Sequence, residues 1–341
     1  MLKTGEKIMK IETHDMHTGG EPVRIVVSGM PELKGSTILE KRDYARTHLD
    51  DFRKLIMNEP RGHKDMYGAI INQVDPFDKD IGAIFFHNEG YSSMCGHAVI
   101  ALGRYVLDRG LVRPTSPETE IVFHCPCGPV KTVVQYNNGF SGRVSFRSVP
   151  AFVYKLGIDV KVPSIGVTKI DIAFGGAFYA IVEDKALGLD IKATPLSEIV
   201  KCASSITEYV KKQVPIVHPF EKDLSFLYGT IITDGNDNYE DGPSTNICVF
   251  ADKEVDRSAT GSGVTARIAL QFKKRKMTLN QSKEFRSLIG TAFSGKAVEE
   301  TIFSEYKSVI VEVSGMAYHT GSHTFYLEKG DPLGTGFQLD R

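Results

Sequence analysis

Two segments of this chain are apolar on nearly every face of a helix, and each begins at a turn of small residues. Residues 98–107 carry Arg104 as their one charge, and residues 264–272 carry Arg267 in a similar role. A helix that is apolar all round is buried by what surrounds it rather than laid on a surface. The turns before them are Met94-Cys95-Gly96-His97 and Ala259-Thr260-Gly261-Ser262-Gly263. Thr260 follows Cys95 by 165 residues, about half of the 341. The pattern predicts two similar halves, each a sheet wrapped around one central helix, with the two helix N-termini facing one another.

The remaining segments supply the sheets. Runs at 23–27, 81–86, 130–135, 143–149, 178–182, 229–233, 246–250, 308–313 and 321–327 are rich in Val, Ile, Phe, Tyr and Thr. Gly, Pro, Asn or Asp bounds them, which is the signature of strands. Helical runs are fewer, at 41–55, 98–108, 195–212 and 264–274. The balance is a strand-heavy α+β class. No linker, low-complexity tract or repeat of 20–50 residues interrupts it.

Composition narrows the function. Lys plus Arg is 41 against 42 for Asp plus Glu, a net charge of -1, so no nucleic acid or other polyanion is expected as partner. The basic run Lys273-Lys274-Arg275-Lys276 ends a helix, where cations suit the dipole. No membrane association is expected, because no stretch approaches the ~18 apolar residues of a spanning helix. The first 15 residues lack the apolar block of a secretory signal. Five cysteines without a dense framework read as reduced thiols, and the expected location is cytoplasmic. A homodimer is allowed by the sequence but not required.

The two turns carry the chemistry. A cysteine at a helix N-terminus sits at the positive end of the macrodipole, beside unpaired amides. That setting favours thiolate and brings the thiol from ~8.5 towards neutrality. Gly96 lets the backbone approach a ligand, and the amides of Gly96 and His97 can hold a carboxylate or phosphate. The competing reading is a buried, inert cysteine. At Thr260 the same construction is expected with a hydroxyl, and Gly261, Ser262 and Gly263 again offer amides. Asp256 can neutralise an ammonium group held between the turns, or it is simply part of a capping turn with Arg257 and Ser258.

Other candidates carry less. His14 and His17 lack a third ligand for a metal, so no metal site is expected and a structural or supporting role is the reading. Cys125-Pro126-Cys127 is too tight for a zinc knuckle and is read as the start of a strand at Val130. Cys202 and Cys248 read as core or surface thiols.

The same residues resemble a known family. Met94-Cys95-Gly96-His97 and the segment from Asp256 to Gly263 look like the two signature turns of the proline racemase family. So do Asp15 to Pro22, Glu59-Pro60-Arg61-Gly62-His63 and the closing Asp331 to Phe337, so the resemblance spans nearly the whole chain. Racemases and hydroxyproline epimerases of the family carry a cysteine in both turns. Here the second is Thr260, the pattern of its trans-3-hydroxy-L-proline dehydratases. Ala259 departs from the usual Pro, which touches turn rigidity more than chemistry.

The resemblance implies an α+β fold of two similar lobes, like diaminopimelate epimerase, each a curved, mostly antiparallel sheet around a central helix. Residues 1–150, completed by 327–341, would form the first lobe and 151–326 the second, with the active site in the cleft between. It implies a cofactor-independent lyase acting on a small hydroxyproline. Cys95 and Thr260 would be catalytic. Gly96, His97, Gly261 and Ser262 would bind the carboxylate, Asp256 the ring ammonium, and Phe250 would wall the ring. Thr260 neither ionises usefully near neutrality nor donates a proton readily, so one-base elimination is expected. A proline racemase or hydroxyproline epimerase, a Cys95–His97 hydrolase and a non-catalytic amino-acid binding protein are the rivals.

Overall fold

The computed structural model describes residues 9–71 and 80–339. Residues 1–8 and 340–341, which fall within the expected first lobe, lie outside them. Among the described residues there are five α-helices and a strand-rich remainder whose sheet curls back on itself. Most ladders are antiparallel, and four are parallel.

Two courses of strands can be followed. One runs from Ala317–Leu327 through Met9–Thr18, Glu21–Ser28, Tyr67–Ile71, Asp80–His87, Glu118–Cys125 and Gly128–Asn137 to Phe140–Arg147. It ends on Tyr306–Gly315, which leads directly back into Ala317–Leu327. The other starts on Tyr306–Gly315 and passes through Ala292–Phe303, Lys283–Arg286, Ser244–Phe250 and Leu227–Thr233. It continues through Phe178–Glu183, Gly166–Phe174 and Ala151–Val162 and closes on Tyr306–Gly315 again. The strand Tyr306–Gly315 is therefore a seam common to both courses.

Each of the two apolar helices packs mainly on the strands of one course. Gly96–Asp108 is buried at all but two positions, Arg104 and Asp108, and Gly261–Lys273 at all but its last two. Both lie in a single core cluster that spans the two courses. The charges noted in the sequence are paired inside: Arg267 binds Asp237 Oδ1 and Asn246 Oδ1, both at 2.9 Å, while its Nε has no partner. Arg104 donates to Ser141 Oγ at 2.9 Å and to the Ala317 carbonyl. The outer faces are covered by other helices. Asp50–Met57 packs Phe52, Leu55 and Ile56 on one course, and Leu196–Gln213 packs Ile199, Ala203 and Ile206 on the other.

Several expectations change in detail. The run at 41–55 is two helices, Ile38–His48 and Asp50–Met57. Leu49, with φ −128° and ψ 18°, ends the first and begins the second, and Asp50 and Asp51 supply the acidic first turn of the new helix. Cys125 and Cys127 do not start a strand: Cys125 pairs with Gly128, so Pro126 and Cys127 form the tip of a hairpin. The C-terminal segment returns to the first course. Phe337 bridges to Glu59, and Arg61 pairs with Asp331 at 2.7 Å. No helix among the described residues is long and apolar enough to cross a membrane.

Candidate active site

The two core helices meet at their first residues. A Cβ built on Gly96 would stand 2.6 Å from the Gly261 Cα, and one on Gly261 would stand 2.7 Å from the Gly96 Cα. Only glycine at both positions allows this approach. It directs both sets of first-turn amides, which have no intrahelical acceptors, at one point. Around that point lies a cavity lined by Cys95, Gly96, His97, Phe250, Asp256, Thr260, Gly261 and Ser262. Met94, Tyr67, Tyr179 and Tyr228 complete its wall. Its volume of about 20 Å³ is room for a single water and not for an amino acid.

The two turns differ in build. Cys95 is extended, with φ −143° and ψ 102°, and its sulfur caps the helix by accepting from the Ala98 N–H at 3.3 Å. Thr260 has φ 64° and ψ 90°, makes no side-chain cap, and its buried hydroxyl has no hydrogen-bond partner. Positive φ is rare and strained for a β-branched residue. The expected repetition of one geometry therefore holds for the helices and not for the turn backbones.

The electrostatics of Cys95 also depart from expectation. Burial pushes its thiol well above the ordinary cysteine value, and the Ala98 N–H and the Tyr67 hydroxyl only partly oppose this. The helix N-terminus does not bring the thiol to neutrality while water is excluded. His97 is buried beside it, with Nδ1 3.1 Å from the sulfur. Burial lowers that imidazole to about 3. A neutral ring has one N–H and one accepting nitrogen, so ring and thiol can share a hydrogen bond in either direction.

Asp256 ends the short strand Glu254–Asp256, and its Oδ1 accepts from the Ser258 N–H at 2.8 Å. Burial raises its carboxyl. Glu21 is buried nearby and accepts from the Arg257 N–H at 2.7 Å. Burial first, and then the charge of Asp256, push it well above the ordinary carboxylate range. Aromatic rings close the opposite wall. Phe250 stacks on Tyr228 with centroids 5.1 Å apart, and Tyr179 binds the Ser262 hydroxyl at 2.7 Å.

Sequence reasoning overlooked Tyr67, Tyr179, Tyr228 and Glu21. Tyr67 and Glu21 lie in or just beyond the segments that resemble the family, which was a usable signal. Tyr179 and Tyr228 sit in ordinary apolar strands and gave none. His14 and His17 stand apart from the cavity. His14 bonds Ser322 Oγ at 2.8 Å and His319 at 2.7 Å, and His17 stacks on Tyr318. No metal-binding group of His, Cys, Asp or Glu occurs among the described residues. Cys202 is half-buried and Cys248 buried, both as free thiols.

Similar proteins match the chain across nearly its whole length. The chain is 54% identical over 325 residues to a trans-L-3-hydroxyproline dehydratase of Saccoglossus kowalevskii, covering 95% of this chain and all of that one. It is 55% identical to the trans-3-hydroxy-L-proline dehydratase of Homo sapiens, covering 95% of this chain and 93% of the human one. Among solved structures, a hydroxyproline epimerase from Agrobacterium vitis with bound trans-4-hydroxy-L-proline superposes with a TM-score of 0.89. That match has 25% identity and covers 97% of this chain and 96% of the epimerase. A probable proline racemase from Agrobacterium radiobacter K84, with bound carbonate, gives 0.89 at 26% identity, over 96% of each chain. The sequence pattern of the family described as proline racemase matches residues 13–338. By that match the chain belongs to the proline racemase family.

Proposed function

We propose that this protein removes water from trans-3-hydroxy-L-proline, giving Δ1-pyrroline-2-carboxylate after tautomerisation of the enamine first formed. The observation that carries the reading is the pairing across the cavity of one thiol, Cys95, with one hydroxyl, Thr260. The dehydratases of Saccoglossus kowalevskii and Homo sapiens support the same substrate.

The substrate carboxylate would lie on the amides of Gly96, His97, Gly261 and Ser262, where two helix N-termini stabilise the charge that grows as the Cα proton leaves. Asp256 would take the ring ammonium, and the stacked Phe250 and Tyr228 would face the ring. Cys95 would be the base. Its thiolate forms where water reaches it. Closing the site then removes that water and raises its proton affinity, in the direction burial already gives it here. Inversion at Cα needs a second proton donor on the opposite face, and an alcohol at Thr260 is a poor one.

A cavity of about 20 Å³ requires the site to open for substrate. We assign that motion to two lobes, the first of residues up to 150 completed by the chain from Ala317 onward and the second of residues 151–316; the expected boundary at 326 moves back because the strand Ala317–Leu327 pairs with Met9–Thr18. The active site is then the cleft between the lobes.

The test is product identity with three substrates. Trans-3-hydroxy-L-proline should give a cyclic imine, while trans-4-hydroxy-L-proline and L-proline stay unconverted. Inversion of the latter two at a comparable rate would replace this reading with an isomerase.

A further inference from the structure

In trans-3-hydroxy-L-proline the hydroxyl is trans to the carboxylate, so it shares a ring face with the Cα hydrogen. On the proposed function, on which this inference rests, the group that protonates the departing hydroxyl must stand beside Cys95 and not across from it. Five hydroxyl-bearing side chains line the cavity: Tyr67, Tyr179, Tyr228, Thr260 and Ser262. Thr260 and Ser262 belong to the opposite turn, and Tyr179 is bonded to Ser262 at 2.7 Å. Tyr228 stacks on Phe250. Tyr67 alone among them stands on the Cys95 side of the cavity: its ring packs on His97, whose Nδ1 lies 3.1 Å from the Cys95 sulfur.

Its ring is fixed for that task. Tyr67 begins the strand Tyr67–Ile71 and pairs in register with His87. The ring meets His97 edge-on at 4.7 Å and lies nearly parallel to His87 at 5.8 Å. Its oxygen also hydrogen-bonds Ser92 Oγ. The Ser92 hydroxyl is thus placed to stabilise a phenolate once the proton has gone. Burial keeps the phenol protonated at neutral pH, which is the state an acid needs.

We propose that Tyr67 is the general acid of the elimination, and that Cys95 returns its proton. Cys95 takes the Cα proton, and the electrons of the Cα–H bond become the Cα–Cβ double bond. The carbon–oxygen bond breaks with its electrons on oxygen, which takes the Tyr67 proton and leaves as water. The new Cys95 S–H then reprotonates the Tyr67 oxygen within the same small cavity. Thiolate and phenol are both restored, and the substrate has lost one water.

The experiment compares leaving groups. Fluoride needs far less protonation to depart than hydroxide does. In Tyr67→Phe, release of water from trans-3-hydroxy-L-proline should fall by ~10²–10⁴-fold, the usual share of general acid catalysis. Release of fluoride from trans-3-fluoro-L-proline should stay within about tenfold of wild type. In heavy water, 3-hydroxy substrate recovered from the variant should carry more deuterium at Cα, because deprotonation continues while departure stalls. Ser92→Ala should show the same selectivity in weaker form, which keeps a readout if the first variant fails to fold. Equal losses with both substrates, or dehydration within threefold of wild type in Tyr67→Phe, would overturn the role. A wild-type protein that releases neither water nor fluoride would overturn the function itself, so the two failures are distinct.

Discussion

The contact between the helix N-termini can be perturbed by one methyl group. In Gly96→Ala the new Cβ would stand 2.6 Å from the Gly261 Cα and 3.0 Å from the Gly261 carbonyl carbon. Carbon atoms pack at roughly 3.5–4.0 Å. The obstacle is backbone on the far side, so no side chain can rotate away, and the two turns must part by roughly 1 Å. Displacing positioning groups by that much costs ~10²-fold in rate. The overpacking itself costs about 1–3 kcal/mol, against roughly 0.5–1 kcal/mol that alanine returns as a helix residue. The expected result is a loss of about 100-fold in kcat/KM with a melting temperature lowered by only a few degrees. Gly103→Ala, seven residues along the same helix, is the control. Its Cβ would meet the methyl ends of Val144, Val134 and Thr132 at 3.0–3.4 Å, which can shift. Steady-state kinetics and thermal melts on both variants decide the matter. If Gly96→Ala keeps kcat/KM within threefold of wild type, the meeting of the helices is not what positions the reaction.

Cys95→Ser should lower turnover by at least ~10³-fold while ligand binding survives, as measured by turnover and by calorimetry with pyrrole-2-carboxylate; near-wild-type dehydration would remove Cys95 as base. Thr260→Cys should add slow inversion of L-proline, visible as deuterium entering Cα in heavy water, because it places a thiol on the second face; no exchange above wild type would count against the facing geometry. Glu21 is raised by burial above its unfolded value of ~4.3, so the folded state binds more protons. Its contribution is full below that value and is lost as pH rises through the folded pKa, so the wild type should lose stability as pH rises above the ordinary carboxylate range. Glu21→Gln should flatten that slope in urea unfolding; an unchanged slope refutes the assignment. Saturating pyrrole-2-carboxylate should reduce the radius of gyration in small-angle scattering if the free protein samples an open cleft, and identical profiles would argue against hinged lobes.

What the sequence discloses about this fold follows the range of the interaction. The two core helices were legible because unbroken apolarity over residues 98–107 and 264–272 is a local property with one physical outcome. All nine strand runs fall at least largely within strands, since alternation and turn residues are local as well. The break at Leu49 was not legible, because apolar residues at 45, 49, 52, 55 and 56 keep helical spacing across it. Strands such as Ala292–Phe303 were overlooked for a related reason: their residues are half-buried and mixed, with Lys296, Glu299 and Glu300 on the strand. Nor does any local pattern say that Tyr306–Gly315 pairs with Phe140–Arg147, Ala151–Val162 and Ala292–Phe303. That is decided by which edges remain after the helices are wrapped.

The site shows the same division in its electrostatics. A helix N-terminus is a local feature, and from it the sequence argues for a low thiol pKa at Cys95. Burial is a tertiary feature. Tyr67, His97 and Phe250 all enclose the same small cavity, and together with the meeting of Gly96 and Gly261 they reverse the sign. Both statements hold if they describe different moments of one cycle. Open to water, the helix terminus and the Ala98 N–H favour a thiolate. On the proposed function, closing the site would strip the same sulfur of solvent and give it the proton affinity needed to attack a weak carbon acid. Asp256 would pass through the complementary change, since burial raises it and a bound ammonium would bring it back to the carboxylate. Such a site has to move, and the tight Gly96–Gly261 contact and the strained Thr260 backbone would then belong to the closed end of that motion.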